Sequence, residues 1–264
     1  MLQNLRDVNL RNNNLKDLPT EMGMLPDLRV LDVAENRIKD FPPCLGNLKN
    51  LAYLWMDSNN VKVIPPMIME LDSLSYVNLD YNSIKDLPIE VGQMQQLRNI
   101  TMRANKLFAF PDVLCKLHGL EHLNVAENKK ISAIPTPVHH LRDLQTLFLN
   151  DGCMLRIDDN IGFCYSLRIL SFAGNFVTVC PLTLSTLANL RVLNGSRNRI
   201  CFFPNICNLT GLTNLNLSTN EISTLPLQVR DPPEKPSCLT VRVHSLSTIT
   251  HHHPINVLLN NDNP

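Results

Sequence analysis

Histidines at two places in the sequence could bind a metal ion. His118 and His122 flank Glu121 in a His-x-x-Glu-His motif, and residues 251–253 are three consecutive histidines. The first motif binds zinc when a helix places both imidazoles on one face. The triplet lies in a polar segment with no cysteine at ligand spacing, which is typical of a solvated tail. The element that carries each motif therefore decides whether it can bind a metal.

A 23-residue frame supplies those elements over the first 230 residues. The pattern Leu-x-x-Leu-x-Leu-x-x-Asn-x-Leu-x-x-Leu-Pro occurs ten times, and its asparagines follow one another at intervals of 22 to 24 residues. Their positions, with a glycine in the seventh repeat, are Asn13, Asn36, Asn59, Asn82, Asn105, Asn128, Gly152, Asn175, Asn198 and Asn220. The frame explains why the chain has 44 leucines and 31 asparagines, 75 of its 264 residues.

Each repeat predicts one short strand, a turn and a return segment. Residues 74–79 alternate apolar and polar at the period of a strand. Each frame asparagine carries two donors and an acceptor, so stacked asparagines can form a ladder that bonds the turns. A proline follows the third apolar column in nine repeats, with Asp158 as the exception. The frame predicts an α/β solenoid with a parallel concave sheet and short helical or extended convex segments.

Irregular positions cluster in repeats seven to nine. Gly152 replaces a ladder asparagine, Gly195 lies in an inward column, and Cys164 and Cys180 occupy apolar columns. These small residues predict local underpacking there. One residue is inserted within 128–131 and one is missing within 203–206, both outside the strands.

The frame also decides the chemistry of the histidines and cysteines. It makes residues 120–123 the entry to a strand, so His118 and His122 do not share a helix face and no metal site is predicted. Eight cysteines occur without a Cys-x-x-Cys pair; apart from Cys164 and Cys180 they are predicted to be surface thiols in a reducing compartment. No phosphate-binding glycine loop or nucleophile elbow occurs, so neither a catalytic residue nor a cofactor is predicted.

Composition and the N-terminal sequence argue against nucleic-acid-binding, membrane-spanning and secreted proteins. Twenty-four basic and 24 acidic residues balance, so bulk charge does not predict nucleic-acid binding. No run approaches the roughly 20 apolar residues of a membrane span. The N-terminus lacks the blocks of a secretory signal, which favours a cytoplasmic protein.

The frame resembles the leucine-rich repeat superfamily, in its 23-residue intracellular type with a Leu-Pro step. Residues 28–36 and 120–128 are near duplicates of its strand motif. This type is found in the scaffold of the Ras and Raf pathway, in Ras-suppressor-like proteins and in polarity scaffolds of the scribble and erbin group. The resemblance implies a horseshoe fold and a signalling or polarity partner, such as a small GTPase or a phosphatase subunit.

Outward strand positions predict where a partner binds. The single tryptophan and three of the four tyrosines fall at concave positions of repeats three and four. Clustered exposed aromatic residues are typical anchors of protein interfaces, and nearby carboxylates lead us to expect a partner that offers arginine or lysine. The predicted partner-binding residues are Tyr53, Trp55, Asp57, Tyr76, Asn78, Asp80, Tyr81, Arg103, His122 and Phe148.

These features predict a non-enzymatic intracellular scaffold or adaptor. Residues 1–230 are predicted to form the solenoid, and residues 231–264 a proline-rich linker and a polar, disordered tail. The alternative is the recognition region of a larger signalling enzyme, such as a kinase, phosphatase, cyclase or ubiquitin ligase. A third reading, an extracellular receptor-like protein, is disfavoured by the missing secretory signal and cap cysteines, and glycosylation of Asn99 or Asn208 would overturn that ranking. The sequence leaves the oligomeric state open.

Overall fold

A computed structural model describes residues 4–224 and the backbone of residues 241–242. Within that part of the chain, eleven parallel strands form one open sheet in chain order. They are Asp7–Asn9 (β1), Val30–Asp32 (β2), Tyr53–Trp55 (β3), Tyr76–Asn78 (β4), Asn99–Thr101 (β5), His122–Asn124 (β6), Thr146–Phe148 (β7), Ile169–Ser171 (β8), Val192–Asn194 (β9), Asn214–Asn216 (β10) and Val241–Arg242 (β11). The predicted solenoid with a parallel concave sheet is confirmed.

Short 3-10 helices line the convex side between the first nine strands. They span Thr20–Met24, Pro43–Asn47, Pro66–Glu70, Ile89–Gln93, Asp112–Lys116, Thr136–His140, Asp159–Phe163 and Leu182–Thr186. No such helix connects β9 and β10, where the frame is one residue short. A shorter connection leaves too few residues for the extra turn.

The register keeps equal frame positions beside one another on successive coils. Tyr53 pairs with Tyr76, and Leu54 with Val77, across the β3–β4 ladder. The middle residue of each strand from β2 to β10 points into the core and is buried, as Leu54 shows with no exposed surface. The first and third residues therefore form the concave surface.

The asparagine ladder forms as the sequence predicts. Asn59 Nδ2 donates to the carbonyls of Val33, Met56 and Asp57 at 3.0 to 3.3 Å, and its Oδ1 accepts from Ile38 N–H at 2.9 Å. The same set of bonds recurs at seven other frame asparagines: Asn36, Asn82, Asn105, Asn128, Asn175, Asn198 and Asn220. Each side chain thus ties two coils together.

Gly152 interrupts the ladder beside the inserted residue. In the preceding coil, Ile131 N–H donates to the Asn128 carbonyl at 3.1 Å, so the local turn satisfies the amide that a ladder side chain would otherwise bond. A Cβ at Gly152 would lie 2.9 Å from Asn175 Oδ1 and 3.2 Å from Ile131 O. The insertion and the loss of the asparagine are therefore structurally coupled.

The residue before each 3-10 helix sets its start. Proline fills this position in seven helices. Asp158 takes it in the eighth, and its side chain accepts from Asn160 N–H at 2.9 Å. The exception to the proline column is thus a side-chain cap.

Two predictions about small residues are wrong. A Cβ at Gly195 would lie 2.9 Å from ring atoms of Phe172, so this large buried ring fills the space where underpacking was expected. Cys44 and Cys115 are buried, although both were predicted to be surface thiols, because each lies on the inner side of its 3-10 helix.

The boundary predicted at residue 230 lies between the two described segments, residues 4–224 and 241–242. β11 pairs in parallel with β10, so the sheet continues into the segment predicted to be linker and tail. The rest of that segment, including the histidine triplet at 251–253, lies outside the described residues.

Candidate functional site

Three aromatic rings form a continuous cluster on the concave face. Tyr53 and Trp55 project from β3, and Tyr76 projects from β4 beside them. The Trp55 ring lies 5.0 Å from Tyr76 and 6.0 Å from Tyr53, and the two tyrosine rings are 6.2 Å apart, measured between centroids. These separations are typical of favourable ring contacts. We call these three residues the aromatic cluster.

Exposure differs within the aromatic cluster. Tyr53 is 45% exposed, whereas Trp55 and Tyr76 are half-buried. Burial raises the pKa of the Tyr76 hydroxyl above its ordinary value, and the neighbouring Trp55 indole partly opposes this shift. The cluster therefore has a packed base and an exposed rim.

Tyr81 lies apart from the cluster, in the turn that follows β4. Its ring is 47% exposed, and the Arg103 guanidinium lies 5.3 Å from its centroid. Arg103 Nε also donates to Glu127 Oε1 at 2.8 Å. Tyr81 and Arg103, both predicted partner-binding residues, thus form a separate cation–π pair beside the cluster.

Tyr81 adopts a left-handed backbone, with φ of 52°. The same frame position has positive φ in all ten coils, although only Gly174 is a glycine. This conformation is therefore a property of the coil rather than of the site. The sequence could not reveal it, because left-handed turns are usually marked by glycine or asparagine.

Asp80 is engaged within the solenoid. Its Oδ1 accepts hydrogen bonds from the Thr101 hydroxyl and, at 2.7 Å, from Arg103 N–H. Burial raises the pKa of this carboxyl, and the two hydrogen bonds oppose the rise. Asp80 therefore links adjacent coils rather than offering a free rim carboxylate.

Asp57 holds the equivalent position one coil earlier but lacks the equivalent bonds. It is only 8% exposed, and its Oδ1 is buried without a hydrogen-bond partner. Asp80 N–H, which could serve it, donates instead to Asn78 Oδ1 at 3.0 Å. Burial accordingly raises the pKa of Asp57, with Arg11 opposing the rise.

Arg11 joins the site from the first coil, although it is not among the predicted partner-binding residues. Its guanidinium lies 2.7 Å from Glu35, 3.6 Å from Asp57 and 3.8 Å from Asp32. Of the carboxylates that were expected to attract a basic partner, Asp57 thus lies beside the chain's own Arg11, and Asp80 is bonded by Thr101 and a backbone amide. The repeat frame could have indicated the contact between Arg11 and Asp57, since both residues occupy the seventh position of their repeats, which points outward.

The last two predicted residues lie farther along the sheet. His122 begins β6 and Phe148 ends β7, two and three strands from β4. Both are half-buried, and burial lowers the pKa of His122. They extend the concave surface without joining the aromatic cluster.

The described residues show neither a metal-binding cluster nor a membrane-spanning helix. These contain no group of three or more His, Cys, Asp or Glu side chains placed to hold a metal ion. His118 lies outside any strand or helix, whereas His122 is in β6. Over the same part of the chain, no helix has the length and apolar character that crossing a membrane requires.

Comparisons with known proteins agree with the fold. Residues 1–106 match the model of a family described as a leucine-rich repeat region. A leucine-rich repeat protein of Leptospira interrogans shares 31% identity, with a TM-score of 0.82 over 85% of this chain and 57% of that one. The plant peptide hormone receptor RGFR1, in complex with RGF2, shares 29% identity, with a TM-score of 0.72 over 83% of this chain and 37% of that one.

One curated relative is an enzyme. An adenylate cyclase of Podospora anserina is 29% identical over 109 residues, which are 40% of this chain and 5% of the cyclase. The chain thus spans a small part of that relative and about half of the Leptospira protein. Together, the repeat frame, the ladder and these similarities support a leucine-rich repeat protein, a class that is typically a protein-interaction module.

Proposed function

We propose that the protein is a non-enzymatic scaffold or adaptor that binds a protein partner on its concave face. The observation that carries this proposal is the aromatic cluster of Tyr53, Trp55 and Tyr76. Tryptophan and tyrosine are the residues most enriched among the energetic centres of protein interfaces. Here they are concentrated on two adjacent strands, with Tyr81 beside them.

The structure changes the chemistry expected of the partner. Asp57 is buried and Asp80 is hydrogen-bonded within the solenoid, while Arg11 and Arg103 each pair with a glutamate. A partner that contacts the cluster through apolar or aromatic groups therefore fits better than one held by a single arginine or lysine. The polar atoms at the rim then set its orientation.

Paired substitutions test the site. Trp55→Ala with Tyr76→Ala removes most of the cluster, and Tyr165→Ala, which removes an exposed tyrosine just after a convex 3-10 helix, is the control. We expect proteins recovered with the wild type and the control, quantified by mass spectrometry, to be lost from the double variant. Circular dichroism would establish that each variant is folded. Equal recovery with a folded double variant would refute the site.

The setting of this function is also proposed. By its resemblance to 23-residue repeat scaffolds, we infer a cytoplasmic role in signal transduction, with a small GTPase or a phosphatase subunit as partner. Direct binding of purified candidates, measured by calorimetry with and without the double substitution, tests this. A partner whose affinity is unchanged by the substitution does not use the cluster.

The similarity to the Podospora adenylate cyclase favours a second candidate. The chain would then be the recognition region of a larger signalling enzyme, in which the repeats place a catalytic domain near its target. Sequencing the full transcript separates the two candidates, since the second requires a catalytic domain in the same reading frame. The concave site would serve either arrangement.

A further inference from the structure

One lateral flank of the solenoid combines exposed apolar and basic side chains along five coils. It consists of frame positions 10–13, which follow the ladder asparagine. The backbone here stacks from coil to coil, as in the 3.0 Å bond from Arg199 N–H to Val177 O. In repeats five to nine these positions are residues 106–109, 129–133, 153–156, 176–179 and 199–202. We call this surface the basic flank.

Five large apolar side chains project from the basic flank. Each has between 41% and 63% of its surface exposed: Phe108, Leu155, Phe176, Val179 and Phe202. Val179 and Phe202 pair in a parallel β-bridge, so they are neighbours on adjacent coils. Exposed apolar groups that cluster in this way usually mark an interaction surface.

The basic flank also carries positive charge, and its residues include no carboxylate. The cations are Lys106, Lys129, Lys130, Arg156 and Arg199. Two of them lie over the exposed rings: Lys130 Nζ is 4.8 Å from the Phe108 centroid, and the Arg199 guanidinium is 5.0 Å from that of Phe176. In a chain of zero net charge, this is a local segregation of cations onto an apolar surface.

Three acidic residues that border the basic flank are already engaged. Glu127, one position before the ladder, pairs with Arg103, and Asp151 pairs with Arg197 at 3.0 Å. On the convex border, Asp158 accepts from Asn160 N–H as a helix cap. Within the described residues, none of the five flank cations forms an ion pair with a carboxylate.

The first four coils provide an internal contrast. Their frame positions 10–13 are residues 14–17, 37–40, 60–63 and 83–86. They carry Arg37 and a lysine in every coil, but three aspartates, Asp17, Asp40 and Asp86, offset most of this charge, and their only large exposed apolar side chain is Val63. The same geometry therefore occurs without the combination of net charge and apolar groups.

We propose that the basic flank docks the protein on an anionic lipid bilayer. Equal frame positions on successive coils lie along one lateral edge, so a flat surface can meet all five coils at once. Lysine is depleted from the centres of protein interfaces. In contrast, lysine and arginine beside exposed aromatic and leucine side chains are typical of proteins bound at an anionic membrane surface. Docking leaves the concave face open, so this inference does not depend on the concave site.

Vesicle co-sedimentation of the full chain tests the proposal. The probes are vesicles of 30% phosphatidylserine in phosphatidylcholine and vesicles of pure phosphatidylcholine. We expect binding to the anionic vesicles alone, weakening as salt rises. Substituting Lys106→Gln, Lys130→Gln and Arg156→Gln should lower the binding constant by about a hundredfold, since each cation near an anionic surface contributes about fivefold.

Matched variants on the first four coils separate a specific flank from general charge. Lys16→Gln with Lys39→Gln and Lys62→Gln removes three cations from the same frame position and should leave vesicle binding unchanged. Phe108→Ser with Phe202→Ser should weaken binding, whereas Val63→Ser should not.

Three results would overturn the proposal. The first is equal binding of the wild type to both kinds of vesicle. The second is an equal loss of binding in the two triple variants. The third is flank-dependent binding to polyglutamate without binding to vesicles, which would assign the basic flank to an acidic protein instead. Vesicle binding should persist in the Trp55→Ala, Tyr76→Ala double variant, so failure of either proposal leaves the other testable.

Discussion

Arg197 reaches over Gly174 to form an ion pair with Asp151 at 3.0 Å, joining residues that are 46 positions and two coils apart. Gly174 has φ of 66°, and a Cβ there would lie 3.2 Å from the guanidinium and still closer to the Asp151 carboxylate. The single glycine of the left-handed column thus stands where a side chain would block a contact between its neighbours.

We expect Gly174→Ala to destabilise the protein by about 1–2 kcal/mol, from left-handed strain and loss of the ion pair's space. Urea denaturation measures this. Ala104→Gly at the same frame position is the control and should be neutral or slightly stabilising. Adding Asp151→Ala to Gly174→Ala should recover part of the loss, and a purely additive double variant would contradict the steric account.

Loss of a ladder asparagine should cost more in the middle of the solenoid than at its end. Asn82→Ala leaves Val61 N–H and several buried carbonyls without partners, so we expect a loss of about 3 kcal/mol. Among the described residues, Asn13 bonds only within its own coil, and it is exposed; Asn13→Ala should cost less than about 1 kcal/mol. Equal midpoints of urea unfolding for the two variants would disprove the ladder's role.

Asp57 should make stability depend on pH. Because its pKa is raised on folding, its favourable contribution is complete at low pH and is lost as the pH rises through the folded-state pKa. Asp57→Asn should therefore be more stable than the wild type at pH 7, with the advantage vanishing near pH 3. Thermal melts across this range test the sign. A variant that is less stable at pH 7 would show that the Arg11 contact outweighs the burial of the charge.

Exposed and buried cysteines should differ in the rate at which their thiols react. Cys201 is exposed, whereas Cys180 is buried and its pKa is raised to about 12. Cys201→Ser should remove one rapidly reacting thiol from titration with a disulfide reagent at pH 8, and Cys180→Ser should remove none. A fast thiol lost from the Cys180 variant would indicate that the eighth coil opens in the native state.

Periodicity made most of the fold predictable, because each repeat carries the same inward leucines and the same asparagine. It could not predict that Phe172 fills the space over Gly195, since a repeat pattern does not show how far a large side chain extends over a small residue in the same column of the next coil. Nor could it predict the burial of Cys44 and Cys115, which depends on which side of a 3-10 helix faces inward.

The concave site was predictable in position but not in electrostatics. The outward positions placed Tyr53, Trp55 and Tyr76 on adjacent strands, and the structure brings their rings together. The environment of Asp57 depends on which of two acceptors takes Asp80 N–H, and that choice between near-equivalent hydrogen bonds is not visible in a sequence pattern.

Site-specific crosslinking tests the central claim most directly. A photoreactive phenylalanine analogue is placed at Tyr53, on the rim of the aromatic cluster, or at Tyr165 as a control of similar exposure. The account predicts that a captured partner crosslinks from position 53 and that Trp55→Ala with Tyr76→Ala abolishes the product. A partner that crosslinks from position 165 but not from position 53 would contradict the assignment of the concave face.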